Sequence, residues 1–417
     1  MSIAGVLRNA RKNGVKATWD RLLQRRLDPV LPSKYLQAKY LKTVLPGVYE
    51  AESKKPIEPK IVIMERGARL SPNFQCLIPY LKQHTDYKID IHVLKIRSVS
   101  DLDYYLNAVE YIRSAATAQA IFICTANELM SRIELRPETT YVQLWHGCGA
   151  CKRFGLSTSA SQFGKSDPLQ AEYAAYKNYT YVTTSSPELS WIYEEAMGID
   201  PDSGIISPIG VSRTDVFFDQ AYIDDSRQRI EQAIPQTARK KIILYAPTFR
   251  GAVADATSPD QLDIPLLART LGSEYVLIIK HHQTVKKTPM IPVEYEGSFA
   301  FDLTHNSHKL NINRLMCVAD ILITDYSSLA FEYSLFTRPM IFFAFDIDQY
   351  NDYRGMYYDY DEITPGPVVT TSQEIVDYIV NTDQWFDPQE VIDFKNRFMS
   401  ACDGHSTERI VNLINRT

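Results

Sequence analysis

The chain has 417 residues and a mass of 47.7 kDa, more than one hydrophobic core normally organises, so two domains are expected. Hydrophobic residues make up 45% of the chain and charged residues 23%, which are ordinary globular values and exclude extensive disorder. The net charge of -5 and the isoelectric point near 6.0 exclude a protein that coats nucleic acid, for which a basic domain is expected.

Cysteine content and hydropathy indicate where the chain works. Six cysteines without a secretory signal peptide indicate a reducing compartment and not a disulfide scaffold. No apolar run approaches the ~20 residues needed to cross a bilayer, so we expect a cytoplasmic protein whose membrane contact is peripheral.

The N-terminal segment, residues 1–55, is basic. Its first 45 residues contain ten Lys and Arg against two Asp, a local charge of +8. Between Val6 and Leu27, Trp19 and several Leu and Val residues recur at roughly helical spacing, which is typical of an interfacial helix on an anionic membrane. A helix that packs on the protein's own core and exposes its charged face fits the pattern equally well.

A βα alternation begins after a linker at 54–60 and predicts a largely parallel sheet in a domain of residues 56–210. A helix is expected between Leu102 and Ile112, and another after Ser186 and Pro187. The predicted strands are Ile61 to Met64, Ile89 to Leu94, Ala120 to Cys124, Tyr141 to Trp145 and Tyr181 to Thr184.

An aperiodic stretch with Pro and Gly at 207–215 marks the expected crossing to a second domain, residues 211–417. A second βα series follows, and residues 388–416 are helical in parts. The predicted strands are Ile242 to Ala246, Tyr275 to Ile279, Ile321 to Thr324 and Met340 to Phe343.

A polar turn follows the predicted strand Ile321 to Thr324. Ser327 and Ser328 are good N-cap residues, and the amides of Leu329 and Ala330 would be left unpaired in the first helical turn. Such an end attracts phosphate, and ligands of open α/β folds bind at the carboxyl ends of strands. An ordinary capped helix explains the same residues.

Cationic and donor side chains follow three further strands. His146 titrates near neutrality and is suited to act as a general base. The fork of Arg250 fits a diphosphate, and Lys280 and His282 leave the next strand, with His281 expected to point elsewhere. Each residue taken singly is explained as a structural or surface group, whereas together they would form a diphosphate clamp.

Metal chemistry has little support in the sequence. Cys148 and Cys151 form a C-x-x-C pair, but zinc needs four ligands and the chain offers no second pair. Asp346 and Asp348 form a D-x-D without the acidic motifs that hold Mg²⁺ elsewhere. We therefore predict no metal and no cofactor, with cationic side chains and a helix N-terminus neutralising the substrate's charge.

Four motifs occur in an order that resembles the CDP-glycerol glycerophosphotransferases, the enzymes that prime and polymerise teichoic acids. They are Trp145-His146-Gly147 with Lys152 behind it, YAPTFR at 245–250, K-x-H at 280–282, and TDYSSLAFEYSLFTRPMIFFAFDIDQY followed by RGMYYDY and PGP. The resemblance implies a GT-B-like fold, in which two Rossmann-like domains face each other across a cleft.

The resemblance also implies roles for individual residues. His146 and His282 would be catalytic, with His146 as the general base, and Glu332 would accept hydrogen bonds from a ribose. The substrate-binding residues would be Arg250, Lys280, Asp325, Ser327, Ser328, Glu332 and Arg354.

The implied reaction is transfer of glycerol phosphate from CDP-glycerol, or of a related unit from another CDP-alditol, to a hydroxyl of a polyprenyl-diphosphate-linked saccharide, with release of CMP. The enzyme would be peripheral, on an anionic membrane surface at the cytoplasmic face, without a nucleic-acid partner. The alternatives are a ribitol-phosphate or capsule-polymer transferase, a nucleotide-sugar glycosyltransferase, and a non-catalytic nucleotide-binding membrane protein.

Overall fold

The computed structural model of the protein describes residues 33–67, 69–95, 99–158, 175–251, 255–305, 310–347 and 355–414. Two parallel β-sheets of six strands each form its framework, which confirms the predicted α/β class with two parallel-sheet domains.

The first sheet contains strands from the N-terminal half. They are β1 (Glu58–Glu65), β2 (Lys88–Val93), β3 (Ala118–Ile123), β4 (Thr140–Gln143), β5 (Tyr181–Thr183) and β6 (Ile206–Ser207), in the order β2-β1-β3-β4-β5-β6. The helices of this half are α1 (Ser33–Lys39), α2 (Leu45–Glu52), α3 (Pro72–His84), α4 (Asp101–Ala115) and α5 (Ser190–Met197).

The second sheet contains β7 (Lys241–Tyr245), β8 (Tyr275–Ile279), β9 (Ala300–Asp302), β10 (Ile321–Thr324), β11 (Met340–Phe343) and β12 (Val368–Val369), in the order β12-β11-β10-β7-β8-β9. The helices of this half are α6 (Gln220–Ala233), α7 (Ile264–Leu271), α8 (Ile312–Val318), α9 (Leu329–Tyr333), α10 (Ser372–Val380), α11 (Thr382–Trp385), α12 (Pro388–Phe398) and α13 (Ser406–Val411).

All nine predicted strands are present, because central parallel strands are buried on both faces and carry continuous apolar runs. The structure adds β6, β9 and β12, which lie at sheet edges and are two or three residues long. Length alone does not explain why they were missed, since β5 is also three residues long and was predicted, but β5 lies inside its sheet.

The C-terminal helix α13 returns to the first domain. Ile410 and Leu413 share a buried cluster with Ile61 and Phe74 beside the first sheet. Asp215 accepts hydrogen bonds from the first two backbone amides of α13, at 3.1 and 2.7 Å, and so fixes where the helix begins. The chain therefore crosses between the two halves twice.

The N-terminal basic segment is only partly described, since residues 1–32, with the pattern around Trp19, lie outside the described residues. Leu36, Leu41 and Leu45 are buried as α1, a π-helical turn and α2 pack against α4. Residues 36–45 thus pack on the protein's own core, whereas the two alternatives stated for the pattern between Val6 and Leu27 concern residues outside the described ranges. Among the described helices, none combines the length and apolar character needed to span a membrane.

The packing of α2 can be tested by truncating Leu45, which is fully buried. We expect Leu45→Ala to lower the free energy of unfolding by about 2–5 kcal/mol, because it leaves a cavity. Exposed Thr43→Ala, on the preceding turn, is the control and should leave stability nearly unchanged. Urea unfolding measures both, and equal stabilities of the two variants would contradict this packing.

Candidate active site

Polar side chains from both sheets meet where parallel strands end. His146 follows β4 of the first sheet, and Ser327 and Ser328 follow β10 of the second. The Ser328 hydroxyl oxygen lies 3.8 Å from the point that a Cβ atom on Gly147 would occupy. The structure therefore brings together the histidine motif and the serine turn, which are far apart in the sequence.

The turn that carries His146 is strained. The sequence predicted a strand to Trp145, but β4 ends at Gln143 and Trp145 adopts a φ of 54°, in the left-handed region. That conformation costs a non-glycine residue about 1–3 kcal/mol and persists only where the surroundings enforce it. Gln143 Oε1 accepts from the Trp145 amide at 2.9 Å, and Asn73 Nδ2 donates to the Trp145 carbonyl at 2.7 Å.

His146 has its acceptor nitrogen available for base chemistry. Its Nδ1 lies 3.2 Å from the carbonyl oxygen of Cys124, which can only accept, so Nδ1 carries the proton and Nε2 is the acceptor. The His146 side chain is open to solvent on one side and surrounded by protein on the others. The resulting desolvation, together with the charge of Arg213, lowers the pKa of His146. The imidazole is therefore neutral at neutral pH.

His282 is held in the opposite tautomer. The amide of Thr284 donates to His282 Nδ1 at 3.3 Å, so in the neutral ring Nε2 carries the proton. The ring is exposed and lies 5.0 Å from the Phe249 ring, whereas His281 is buried, as strand alternation predicted. One imidazole thus presents an acceptor and the other a donor.

Arg250 lies among carboxylates. It donates to both oxygens of Asp346 at 2.6 and 3.0 Å and forms an ion pair with Asp325 at 2.9 Å. Asp325 Oδ1 accepts from the amides of Thr248 and Tyr326 at 2.8 and 2.7 Å. Burial opposes the charge of Arg250, but the two carboxylates outweigh it and raise its pKa. Arg250 thus joins the ends of β7, β10 and β11, and the predicted diphosphate contact would compete with these partners.

Lys280 is also committed to the protein. Its Nζ donates to the carbonyl of Leu303 at 2.6 Å, which ties the end of β8 to the loop after β9. Burial lowers the pKa of Lys280. The predicted ligand Arg354 lies outside the described residues.

The serine turn begins α9, a helix of five residues. The Leu329 amide donates to Ser327 Oγ at 3.3 Å and the Ala330 amide to the Ser327 carbonyl at 3.5 Å. Both amides that the sequence predicted to be unpaired thus have long, weak partners within the turn. A phosphate would exchange these for stronger, charge-assisted hydrogen bonds.

Glu332 on α9 is buried and not on the cleft surface. Its side chain is 2% exposed, and Oε1 lies 2.8 Å from Nε of Arg213. Burial raises the pKa of Glu332, and the Arg213 charge offsets part of that rise. The predicted ribose contact would require this buried ion pair to open.

No role in the site was predicted for Arg213 or Asp346. Arg213 donates to the carbonyl of His146 and to Asn313 Oδ1, both at 3.0 Å. The signal for Arg213 was a charged residue inside the aperiodic crossing segment, and the signal for Asp346 was the D-x-D motif. Neither indicates a partner, because the partners are distant in the chain.

The C-x-x-C pair is a packed loop. Cys148 and Cys151 are buried free thiols, and burial raises the pKa of Cys151 to about 12. Gly149 packs on the Phe331 ring so closely that a Cβ atom would lie 2.3 Å from it. Within the described ranges, no three His, Cys, Asp or Glu side chains are grouped so as to hold a metal ion.

The RGMYYDY motif contributes a second contact between the halves. The Arg153 amide donates to the Gly355 carbonyl at 3.2 Å, and the Tyr357 amide to the Cys151 carbonyl at 3.1 Å. The Trp191 indole also donates to the Tyr358 hydroxyl at 3.1 Å. The loop behind His146 is thus joined to the second half by backbone and side-chain contacts.

Comparison with known proteins gives a consistent set of relatives. Residues 48–416 match the family model described as CDP-Glycerol:Poly(glycerophosphate) glycerophosphotransferase. A teichoic acid poly(ribitol-phosphate) polymerase of Bacillus spizizenii is 34% identical over 363 residues, which cover 86% of this chain and 56% of that protein. This chain therefore spans little more than half the length of that relative.

Two primases are similar over more of their own length. The teichoic acid ribitol-phosphate primase of Bacillus spizizenii is 32% identical, covering 85% of this chain and 90% of that protein. The teichoic acid glycerol-phosphate primase of Bacillus subtilis is 30% identical, covering 69% and 70%.

A solved structure of the wall teichoic acid polymerase TagF aligns with all of this chain and 98% of its own, with a TM-score of 0.72 and 22% identity. At that identity the likeness shows a shared fold. Another TagF structure, of a histidine variant, was solved after a soak with CDPG.

The Arg250 cluster predicts a stability effect. We expect Arg250→Ala to lower the free energy of unfolding by about 3–5 kcal/mol, because Asp325, 2% exposed, would keep a buried charge without its cation. Arg229→Ala, which removes an exposed ion pair with Asp225, is the control and should change stability little. Denaturant unfolding compares them, and an equally small effect for Arg250→Ala would contradict the stabilising role of this cluster.

Proposed function

The chain belongs to the CDP-glycerol:poly(glycerophosphate) glycerophosphotransferase family, and from that premise we propose that it transfers an alditol phosphate from a CDP-alditol to a hydroxyl of a polyprenyl-diphosphate-linked saccharide. The membership confirms the resemblance drawn from the four motifs and makes the protein a transferase of the teichoic acid type. Among the site's features, the proposal is carried by the acceptor nitrogen of His146, on a loop whose next residue, Gly147, lies beside Ser328.

The proposed chemistry is a displacement at phosphorus. The acceptor hydroxyl loses its proton to His146 Nε2 while its oxygen attacks the phosphorus that bears the alditol. The bond from that phosphorus to the bridging oxygen of the diphosphate breaks, and its electron pair leaves with CMP. The lowered pKa of His146 supports this role, since the neutral ring is the form that accepts the proton.

The remaining site residues have two kinds of proposed role. His282, through its Nε2 proton, and the Ser327-Ser328 turn would hydrogen-bond the diphosphate and stabilise the charge that moves to CMP. Arg250 and Asp325 would hold the strand ends that present this turn. Lys280 and Arg354 remain proposed diphosphate contacts.

Two donors have specific support. CDP-glycerol is implied by the motifs and by the TagF structure soaked with CDPG. CDP-ribitol has the support of the relatives at 34% and 32% identity, which are named as ribitol-phosphate enzymes. The two donors differ by two carbinol units, so a comparison of rates on both decides between them.

The reaction is tested with each donor and a synthetic polyprenyl-diphosphate disaccharide. We expect CMP release and an acceptor that gains alditol phosphate units, one unit for a primase and a ladder for a polymerase. No turnover of either CDP-alditol, together with release of a nucleoside diphosphate from a nucleotide sugar offered in its place, would identify a glycosyltransferase. Donor binding without product would leave the non-catalytic alternative.

His146 is expected to affect turnover and not donor binding. His146→Ala should lower the rate of CMP release by about 10²- to 10⁴-fold, the usual contribution of a general base, while calorimetry finds the donor still bound. The parent's rate should fall in acid with a midpoint below pH 6.5, because the pKa of His146 is lowered from that value and protonation removes the acceptor. His84→Ala, on the exposed face of α3, is the control, and parental turnover in His146→Ala would remove the base from the mechanism.

Membrane attachment at the cytoplasmic face is a further part of the proposal. Residues 1–32 contain seven Lys and Arg against two Asp, and each basic residue near an anionic leaflet contributes about 1 kcal/mol. Deletion of residues 1–32, which spares the packed helices α1 and α2, should weaken binding to anionic vesicles, more at low salt than at high. Turnover of a water-soluble acceptor should persist, and unchanged vesicle sedimentation would contradict this attachment.

A further inference from the structure

We propose that Arg213 is a positioning residue, which couples the base His146 in the first half of the molecule to the donor-binding turn in the second. The inference rests on the function proposed above for the same site. It assigns Arg213 a role that acts through His146, without a contact to the reacting atoms in the proposed mechanism.

Arg213 lies on the segment where the chain crosses between the two sheets, in a 3₁₀ turn spanning Ser212–Phe217. Its side chain is nearly buried, and its backbone amide donates to Asn73 Oδ1 at 2.9 Å. Asn73 is itself 1% exposed and lies in the first turn of α3. The backbone of Arg213 is therefore fixed on the first half.

One arm of the guanidinium holds the histidine turn. Arg213 Nη1 donates to the His146 carbonyl at 3.0 Å, next to the Trp145 carbonyl that accepts from Asn73. The carbonyls of Trp145 and His146 are thus held by Asn73 and Arg213, which are hydrogen-bonded to each other. Because Trp145 is strained, the orientation of the imidazole depends on these contacts.

The other arms reach the second half. Nε forms the ion pair with Glu332, and Nη2 donates to Asn313 Oδ1 at 3.0 Å. Glu332 lies on α9, the helix that begins directly after Ser327 and Ser328. Arg213 is therefore in contact with the base loop and with the helix that carries the serine turn.

Only arginine has the geometry for this position. A guanidinium presents donors in several directions within one plane, so two of its nitrogens hydrogen-bond the His146 carbonyl and Asn313 while the third forms the ion pair with Glu332. Lysine offers a point charge at the end of a flexible chain and cannot hold three partners in fixed directions. Removing a guanidinium from water is costly, so its value here lies in fixed geometry.

The charge of Arg213 gives the coupling a second readout. It contributes to the lowered pKa of His146, after the larger effect of desolvation. The titratable groups facing Arg213 are Glu332 and the thiols of Cys76, Cys124 and Cys148. Loss of the charge should therefore raise the pKa of His146, whereas a replacement that keeps the charge should not.

The test compares Arg213→Lys and Arg213→Met with the parent chain. Arg213→Lys should lower kcat roughly 10- to 100-fold with little change in donor KM, because misplacement of a base by about 1 Å has an effect of this size. The acid limb of the pH–rate profile should stay in place for Arg213→Lys and should move to higher pH for Arg213→Met. Arg338→Lys is the control, since Arg338 donates to the carbonyls of Cys317 and Ala319 away from the histidine turn, and it should keep the parental kcat.

A parental kcat in Arg213→Lys would overturn the proposal. If Arg213→Lys fails to fold or to bind donor, Asn313→Ala tests the coupling instead. That variant removes the hydrogen bond between Arg213 and Asn313 and keeps the ion pair between Arg213 and Glu332. A lower kcat with parental donor affinity in Asn313→Ala supports the coupling, and a parental kcat overturns it.

Failure of the proposed function is distinguishable, because the parent chain would then release no CMP from either donor. The coupling is still measurable by NMR titration of the His146 imidazole signal. That signal is assigned by its absence in the spectrum of His146→Ala. A higher pKa of His146 in Arg213→Met supports the coupling, and an unchanged pKa overturns it.

Discussion

The buried ion pair between Arg213 and Glu332 is the interaction on which the arrangement of the two half-sites depends. Each ion loses several kcal/mol of hydration on burial, and good geometry with further hydrogen bonds must repay that loss. Arg213 has such bonds to the His146 carbonyl and to Asn313, one in each half. Few relative positions of the sheets satisfy all of these contacts together. The pair is thus weak as a source of stability and strong as a constraint on geometry.

Charge is divided unequally within the site. Arg250 and Lys280 are cationic residues that were predicted to bind the diphosphate. Their donors are directed to carboxylates or backbone carbonyls of the protein. The exposed groups are two imidazoles, whose hydrogen bonds give His146 an acceptor at Nε2 and His282 a donor. This arrangement suits a reaction in which a proton leaves the attacking hydroxyl and charge moves to a departing phosphate.

Local patterns predicted most of the fold because the central strands are buried on both faces and the helices have one apolar face. They also predicted which strand ends carry the polar residues, since those residues follow apolar runs directly. They failed at Trp145, because tryptophan gives no signal for a left-handed turn and the apolar run continues through it. They also did not predict the partners of Glu332 and Arg250, because Arg213 and Asp346 are distant in the chain and are brought there by tertiary packing.

The central claim is that the acceptor oxygen attacks phosphorus directly while His146 takes its proton. The most direct test is the stereochemical course at that phosphorus, measured with a CDP-alditol whose alditol-bearing phosphate contains one sulfur of known configuration. A single in-line displacement inverts the configuration, and ³¹P NMR of the product diastereomer reports it. A covalent phosphohistidine intermediate would require two displacements and give retention. The account predicts inversion, and retention would contradict it.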